Sequence, residues 1–436
     1  MQKLNFWIIF SEYYFAYLCI FTAVASVLYL SIRPLLISVY HILFLYYYCA
    51  YIFILTAVIF LYKLNYISIE LLIYTIITQI VFVCGLYVTK FYYRRHKKII
   101  YRSDDVFIDY SYYVSASIFL VFTIITYSFF GFPILEPSRW ELYQSIPGAG
   151  IIGRFIETSK SIIVFALTYK YTTCNSKFKI FDKLVVFFLI LSAFMAGSKI
   201  AFFEMMIYSY VAYCYIKYHA IVVRKVQVST KLLLIIMVGI CASLFVTYIN
   251  QLYVNNIKSN AFLLILDRLV MTADLQIMSF PDNLIVNLQP SINSVFEAIF
   301  FDFKTLFQIV GINFNGRSLG LDVMYHHHPD LDGVVKIGPA STFETFYIYY
   351  FGAYWGVFLS FVSGVVLGAL IFNFRPIQYM RYELLKYIIL INMMLIIFNP
   401  QVALGKAFFS LIYFIIILIT YHIFKTISVR DNLLCE

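Results

Sequence analysis

Charged side chains interrupt several of the apolar runs in this sequence. The most regular set, Arg154, Glu157 and Lys160, is spaced i, i+3, i+6, which places the three side chains on one face of a helix. A charged residue inside a membrane span costs ~2.5–3.5 kcal/mol, so such residues usually face the protein interior and serve a function. Two interpretations stay open: a functional role in the protein interior, and an internal salt-bridge cluster whose charges only neutralise one another.

A second cation, Lys199, lies in a turn at residues 196–199 between two short apolar runs, and Glu204 follows it. A helix that begins at this turn presents free N–H groups and the positive end of its dipole beside the Lys199 ammonium. That combination is typical of a phosphate or pyrophosphate site. The structural alternative is a tight turn with a lysine that reaches toward the membrane surface.

Histidines and carboxylates gather in the polar part of the chain: His326, His327 and His328, with Asp322, Asp330 and Asp332. These residue types can bind zinc or manganese. Three adjacent histidines cannot all point at one ion, however, and no His-x-x-x-His pair is present, so we predict no metal site. A general base, a substrate contact and a solvated loop remain open for the histidines.

Three further charged residues border the apolar runs. Arg139 stands beside Trp140 in a polar loop, where a simple interfacial anchor is the alternative. Arg268 lies in an amphipathic stretch at residues 261–280, which predicts a helix on the membrane surface, either as a brace or over a cavity. Glu344 begins an apolar run directly after the polar part of the chain.

The elements that must position these residues are predominantly apolar. The chain is 63% hydrophobic and 12% charged, and a helix needs about 20 apolar residues to cross a bilayer. We therefore predict an all-α integral membrane protein with about eleven transmembrane helices. The predicted spans are residues 7–30, 35–61, 67–88, 106–130, 151–169, 184–196, 200–216, 232–248, 342–372, 387–398 and 407–423.

The predicted organisation has three parts: residues 1–250 with helices one to eight, a large loop at 251–341, and residues 342–436 with helices nine to eleven. The net charge of +10 gathers in short alternate loops, which predicts that those loops are cytoplasmic and the large loop external. The charge is thus a topology signal and indicates no nucleic-acid partner. The large loop holds no cysteine, so we expect it to fold without a disulfide.

Glycines recur on one face of the predicted ninth span: Gly352, Gly356, Gly364 and Gly368. Small residues at this spacing allow two membrane helices to approach closely. We predict a packing role for them. The two halves of the chain show no matching broken spans, which argues against an inverted-repeat transporter.

The order of spans and loops resembles the O-antigen polymerase (Wzy-type) family of bacterial surface-polysaccharide assembly. Two local features add to the resemblance. Arg139 and Gly150 are separated by ten residues, as in the Arg-x10-Gly pattern of some members, and residues 338–344 resemble the segment that closes the family's large loop. The Arg-x10-Gly pattern is not repeated at Arg317, because His328 stands eleven residues after it.

The resemblance implies a glycosyltransferase of the bacterial inner membrane whose active site faces the periplasm. It would move a growing glycan from undecaprenyl pyrophosphate to a lipid-linked oligosaccharide repeat unit, with neither a metal nor another cofactor. The implied partners are these lipid-linked oligosaccharides and the bilayer. A chain-length regulator and the flippase of the same pathway are further candidates.

The resemblance also implies roles for residues. Cations at the external face would stabilise the leaving pyrophosphate, and a base would orient the acceptor hydroxyl. The implied catalytic residues are Arg139, Arg154, Lys199, Arg317, His327 and Glu344. The implied substrate-binding residues are Gly150, Glu204, Arg268, His326 and His328.

Three alternatives stay open at this point. An O-antigen ligase breaks the same bond but uses another acceptor, and the sequence barely separates it from the polymerase. A flippase of the same pathway needs cationic spans around a central cavity and only short loops, so the large loop argues against it. A structural membrane protein without catalysis is the third alternative.

Overall fold

The computed structural model describes residues 6–36, 41–93, 104–132, 149–173, 179–195, 201–218, 271–290, 317–332, 338–372 and 379–434, and the single positions 297, 300, 303 and 311. Within these residues the regular secondary structure is helical and includes no strand. The predicted all-α class is confirmed to this extent.

The α-helices of the described residues are numbered here in chain order. They are α1 Phe6–Glu12, α2 Tyr14–Ile32, α3 Cys49–Lys63, α4 Ile69–Tyr93, α5 Asp105–Phe130, α6 Ala149–Thr173, α7 Ile180–Met195, α8 Ala201–Tyr218, α9 Asp274–Ser279, α10 Leu284–Asn287, α11 Leu319–His327, α12 Phe343–Phe372, α13 Met380–Met393 and α14 Pro400–Leu434. A π-helix, Phe44–Tyr48, leads directly into α3.

Several of these helices are long and apolar enough to cross a membrane. By that measure the described residues contain six candidate spans: Tyr14–Leu35, Phe44–Lys63, Ile69–Tyr92, Asp105–Phe129, Phe343–Phe372 and Pro400–Ile427. The chain is therefore an α-helical membrane protein. The count of eleven spans is not established, because the run at 232–248 lies outside the described residues and α7 and α13 have only 16 and 14 residues.

Polar contacts bring three helix ends together at one end of the bundle. At one end the Tyr169 hydroxyl donates to Asp105 over 2.5 Å, and the Lys170 ammonium lies 3.3 Å from Asp182. The beginning of α5, the end of α6 and the beginning of α7 therefore lie together at this end of the bundle.

Helices α4 and α12 run side by side in the same direction. A Cβ atom added at Gly356 would overlap the Tyr74 hydroxyl, and one at Gly364 would overlap the backbone of Phe82. Gly368 is equally close to α4. Gly364 and Gly368 thus let two helix backbones approach closely, and Gly356 makes room for the Tyr74 side chain.

The fourth glycine, Gly352, has a different role, and the predicted ninth span is not one continuous helix. Its φ of 77° and ψ of 172° belong to a region that is essentially restricted to glycine. The Tyr347 hydroxyl lies 2.6 Å from the Ser363 hydroxyl, whereas a straight helix would separate these positions by about 24 Å. Residues 343–351 therefore fold back along residues 353–372. We call residues 343–351 the re-entrant helix.

We expect Gly352→Ala to lower the free energy of unfolding by about 1–3 kcal/mol, because an L side chain is strained in this backbone conformation. No atom lies within 4 Å of the added Cβ, so a loss of stability would come from the backbone conformation and not from a steric clash. Gly153→Ala is the matched control, since Gly153 is helical and its added Cβ also meets nothing. Thermal unfolding in detergent measures both variants, and equal midpoints would contradict the described break.

Candidate functional site

Two groups of charged and polar side chains lie inside the bundle. The first is built on Glu157 of α6. One of its carboxylate oxygens, Oε2, lies 2.9 Å from Lys406 Nζ and 3.4 Å from Arg154 Nη1. The predicted i, i+3 pair on α6 is present, and α14 adds a second cation to it. These contacts also bring the beginning of α14 next to the beginning of α6.

Two more charged residues complete this group. Lys160 is half-buried, its ammonium lies 5.8 Å from the centre of the Phe119 ring, and it interacts electrostatically with Glu157 and with Glu204 of α8. We call Arg154, Glu157, Lys160, Glu204 and Lys406 the cation cluster. Among the described residues, its three cations exceed its two carboxylates by one positive charge.

The exposure of the cation cluster is uneven. The Glu157 side chain is 48% exposed, whereas those of Arg154 and Lys406 are 21% and 17% exposed. The most exposed member of the cluster is therefore its carboxylate, Glu157, and the cations Arg154 and Lys406 lie deeper between the helices. Held cations in a partly desolvated setting attract an anion more strongly than freely solvated ones.

Sequence reasoning missed Lys406 as a site residue and assigned it to a short loop. A signal was present, because Lys406 is the one charged residue (Asp, Glu, Lys or Arg) between Lys386 and Lys425. A lone charge in so long an apolar stretch of a membrane protein is a functional candidate. Its partner Glu157 lies far away in the sequence, so only the fold could show the pairing.

The second group surrounds Glu344 at the beginning of the re-entrant helix. Glu344 is fully buried. Its Oε2 accepts a hydrogen bond from the Tyr51 hydroxyl over 2.5 Å. Its Oε1 accepts from the Thr342 hydroxyl over 2.6 Å and from the Gln276 amide over 3.0 Å. We call Glu344, Tyr51, Thr342 and Gln276 the Glu344 anchor.

Contacts of the neighbouring residues fix the same end of the re-entrant helix. The Tyr74 hydroxyl donates to the main-chain carbonyl of Glu344 over 3.0 Å. The Phe343 ring lies 4.9 Å from that of Phe82 and 5.5 Å from that of Tyr51. The chain therefore inserts the beginning of this helix against α3 and α4, although it is bordered in sequence by the predicted external loop.

The π-helix contacts the Glu344 anchor. The Tyr47 hydroxyl donates to the buried Gln79 over 2.9 Å, and the Tyr47 ring lies 4.9 Å from the ring of Tyr51. Short π-helical segments occur frequently at functional sites, and here one packs beside the Glu344 anchor.

The described part of the predicted surface helix at 261–280 is buried. Leu275, Gln276 and Ile277 of α9 are at most 8% exposed, and Gln276 bonds to Glu344. This part packs against α3 and the beginning of the re-entrant helix. Residues 271–279 therefore do not lie on the membrane surface, because the polar side chain of Gln276 finds its partner inside the bundle. The alternative, that the stretch covers a cavity, stays a prediction.

The histidines lie at the end of α11. The His327 Nε2 atom lies 2.8 Å from the carbonyl oxygen of Met278, and this contact ties α11 to α9. His326 and His327 meet edge to face, and His328 follows the last turn. No group of three His, Cys, Asp or Glu residues that could hold a metal ion is found in the portion of the chain that the structure describes.

Arg317, a predicted catalytic cation, lies beside the histidines and forms an exposed ion pair. Its guanidinium lies 3.0 Å from Asp332 and 4.8 Å from the centre of the Tyr325 ring. Both side chains of the ion pair are more than 40% exposed, and such pairs contribute about 0–1 kcal/mol to stability. These contacts stabilise the polar segment and do not place Arg317 in the cation cluster.

The remaining predicted site residues divide into two sets. Gly150 lies in the first turn of α6, in the same helix as Arg154. Arg139, Lys199 and Arg268 lie outside the described residues. Of the predicted site residues, the described structure therefore brings together Arg154 and Glu204 and keeps Glu344 in a separate group.

The described residues define an α-helical membrane protein with a cluster of charged side chains between its helices. Comparisons with protein-family models, with characterised proteins and with solved structures find no match for this chain.

Proposed function

We propose that this protein is a polysaccharide polymerase. It transfers a growing glycan from undecaprenyl pyrophosphate to a lipid-linked oligosaccharide repeat unit, at the periplasmic face of the bacterial inner membrane. The acceptor hydroxyl forms the new glycosidic bond to the anomeric carbon. The bond from that carbon to the pyrophosphate oxygen breaks, and the hydroxyl proton passes to a base.

The observation that supports this proposal is the gathering of three cations, Arg154, Lys160 and Lys406, around Glu157. The leaving pyrophosphate gains negative charge as its bond to the sugar breaks, and fixed cations aimed at that charge lower the barrier. Arg154, Lys160 and Lys406 are the cations of the proposal. Because the sugar–pyrophosphate bond already supplies the free energy of transfer, the reaction requires no nucleotide.

The base of the proposal is Glu204. Glu204, which the resemblance implies as a substrate-binding residue, is chosen as the base because it interacts electrostatically with Lys160 of the cation cluster. Glu344 is fully buried among three hydrogen-bond donors, so a substrate hydroxyl cannot reach it in the described structure. The Nε2 atom of His327 already contacts the main-chain carbonyl of Met278 in α9, so His327 is not chosen as the base.

A gene deletion tests the proposed function. Deletion should reduce the lipopolysaccharide ladder on a gel to a band with a single repeat unit, and wild-type protein should restore the ladder. Lys406→Gln should lower polymer formation by about 10²-fold, the usual effect of removing one group that stabilises developing charge. Lys63→Gln is the matched control, because Lys63 is an exposed lysine at the end of α3.

Other outcomes of the deletion would identify the alternatives. Loss of every band that carries O-antigen would contradict a polymerase and leave the ligase and the flippase. Accumulation of lipid-linked polymer in the cell envelope would then indicate a ligase. Normal bands would contradict all three enzymatic and transport functions. Membrane abundance of each variant, measured by immunoblot, separates loss of activity from loss of protein.

A further inference from the structure

A cavity of about 240 Å³ lies between α6, α7 and α8, and neither group described above uses it. Its walls are made of apolar side chains from all three helices, among them Val164, Leu167, Val186, Leu189 and Met205. Val164, Leu167 and Leu189 are buried. We call this cavity the α6–α8 groove.

The four side-chain hydroxyl groups in the walls of the groove already have acceptors in the protein, and that of Tyr171 donates to Asp182 of α7 over 2.6 Å. Thr168 donates to the Val164 carbonyl over 2.7 Å, Thr172 to the Thr168 carbonyl over 2.6 Å, and Ser209 to the Met205 carbonyl over 2.9 Å. The groove therefore offers its occupant few hydrogen-bond donors. A saccharide, whose hydroxyls need partners, does not fit such walls, whereas a hydrocarbon chain does.

The groove begins next to the cation cluster. Val164 lies one turn beyond Lys160 on the same face of α6, and Met205 directly follows Glu204 on α8. From Val164 to Thr172 the helix rises about 12 Å, which is close to half of the ~30 Å hydrocarbon thickness of a bilayer. Charge at one end and an apolar channel below it match a lipid with an anionic headgroup.

We propose that the α6–α8 groove binds the polyprenyl chain of the lipid-linked substrate while its pyrophosphate sits on the cation cluster. This inference depends on the proposed function, because that function supplies a pyrophosphate on a single hydrocarbon chain. The volume of the groove is below the 300–1,000 Å³ of typical ligand pockets. The groove therefore suits a segment of one chain better than the paired chains of a phospholipid.

A photoreactive lipid tests the inference. Purified full-length protein is mixed with polyprenyl diphosphate that carries a diazirine on its chain, irradiated and digested. We expect labelled peptides from α6, α7 or α8 that include groove residues. Val186→Trp, which fills the groove, should lower this labelling at least tenfold. Ile190→Trp is the control on the same helix, because Ile190 is 51% exposed and does not line the groove.

Two other results would overturn the inference that the groove binds the polyprenyl chain. Labels that map elsewhere in the wild-type protein would show that the groove has another occupant, such as a different part of this chain. Removal of the label by excess phosphatidylglycerol would show a general lipid site. Because the labelled peptides are mapped in wild-type protein, the experiment tests the inference even if Val186→Trp fails to fold.

The lipopolysaccharide ladder separates this inference from the proposed function. A ladder restored by wild-type protein, together with labels outside the groove, rejects the groove and keeps the polymerase. Labels in the groove, together with a normal ladder in the deletion strain, reject the polymerase.

Discussion

Replacement of Glu344 by alanine should lower the free energy of unfolding by about 3–5 kcal/mol. The substitution removes the acceptor of three hydrogen bonds, from Tyr51, Thr342 and Gln276. All three donors are buried, and each buried donor that loses its partner costs about 1–3 kcal/mol. Thr342 and Gln276 also bond to each other, which limits the total. Thermal unfolding in detergent measures the effect.

Two conservative variants separate an anchoring role from catalysis. Tyr51→Phe removes one donor and should cost about 1–3 kcal/mol. Glu344→Gln keeps the size of the side chain and removes its charge and its capacity as a base. If Glu344 is an anchor, polymer formation in Glu344→Gln should fall only in proportion to the amount of folded protein.

The opposite pattern would contradict the anchor. A Glu344→Gln protein that is as stable as the wild type but makes no polymer would identify Glu344 as the base. Such a result would require the re-entrant helix to open, because no part of Glu344 reaches the surface in the described structure.

Two variants that break the same ion pair should have different effects on activity. Lys406→Gln and Glu157→Gln both remove the 2.9 Å contact between α14 and α6. Lys406→Gln removes a cation and should lower polymer formation by about 10²-fold. Glu157→Gln removes an anion, so the cation cluster becomes more positive and should keep its activity and bind polyprenyl diphosphate at least as tightly.

This comparison decides between the two interpretations of the cation cluster. If the cluster is only a salt-bridge network, both variants should change stability to a similar extent and neither should change activity per folded molecule. Polymer formation is measured from the ladder, stability from thermal unfolding, and the folded amount from size-exclusion chromatography. Equal losses of activity in both variants would contradict a specific need for the cation.

Much of the fold follows from local pattern in the sequence. Long apolar runs become helices, because a backbone without water must satisfy its hydrogen bonds internally. The i, i+3 spacing of Arg154 and Glu157 is enough to predict their contact, because it depends only on the helical repeat. The close packing at Gly364 and Gly368 follows for the same reason, since their spacing sets a common face.

The break at Gly352 could not be predicted in this way. Gly352 and Gly356 belong to the same apolar run, and nothing in their residue type distinguishes a packing glycine from one with a positive φ. The difference arises because residues 343–351 bury Glu344 among partners from α3 and α9. Those contacts hold the chain in the reversal at Gly352, which a continuous helix would not contain.

The residue pattern alone is enough to assign an α-helical membrane protein and to say which of its helices carry charge. How those charges group depends on the packing of the helices. Tyr51 and Glu344 are 293 residues apart, and Lys406 reaches Glu157 from the last helix of the chain. Helical periodicity predicts contacts only between residues a few turns apart in the same helix. The partner of a buried charge instead depends on which helix packs beside it.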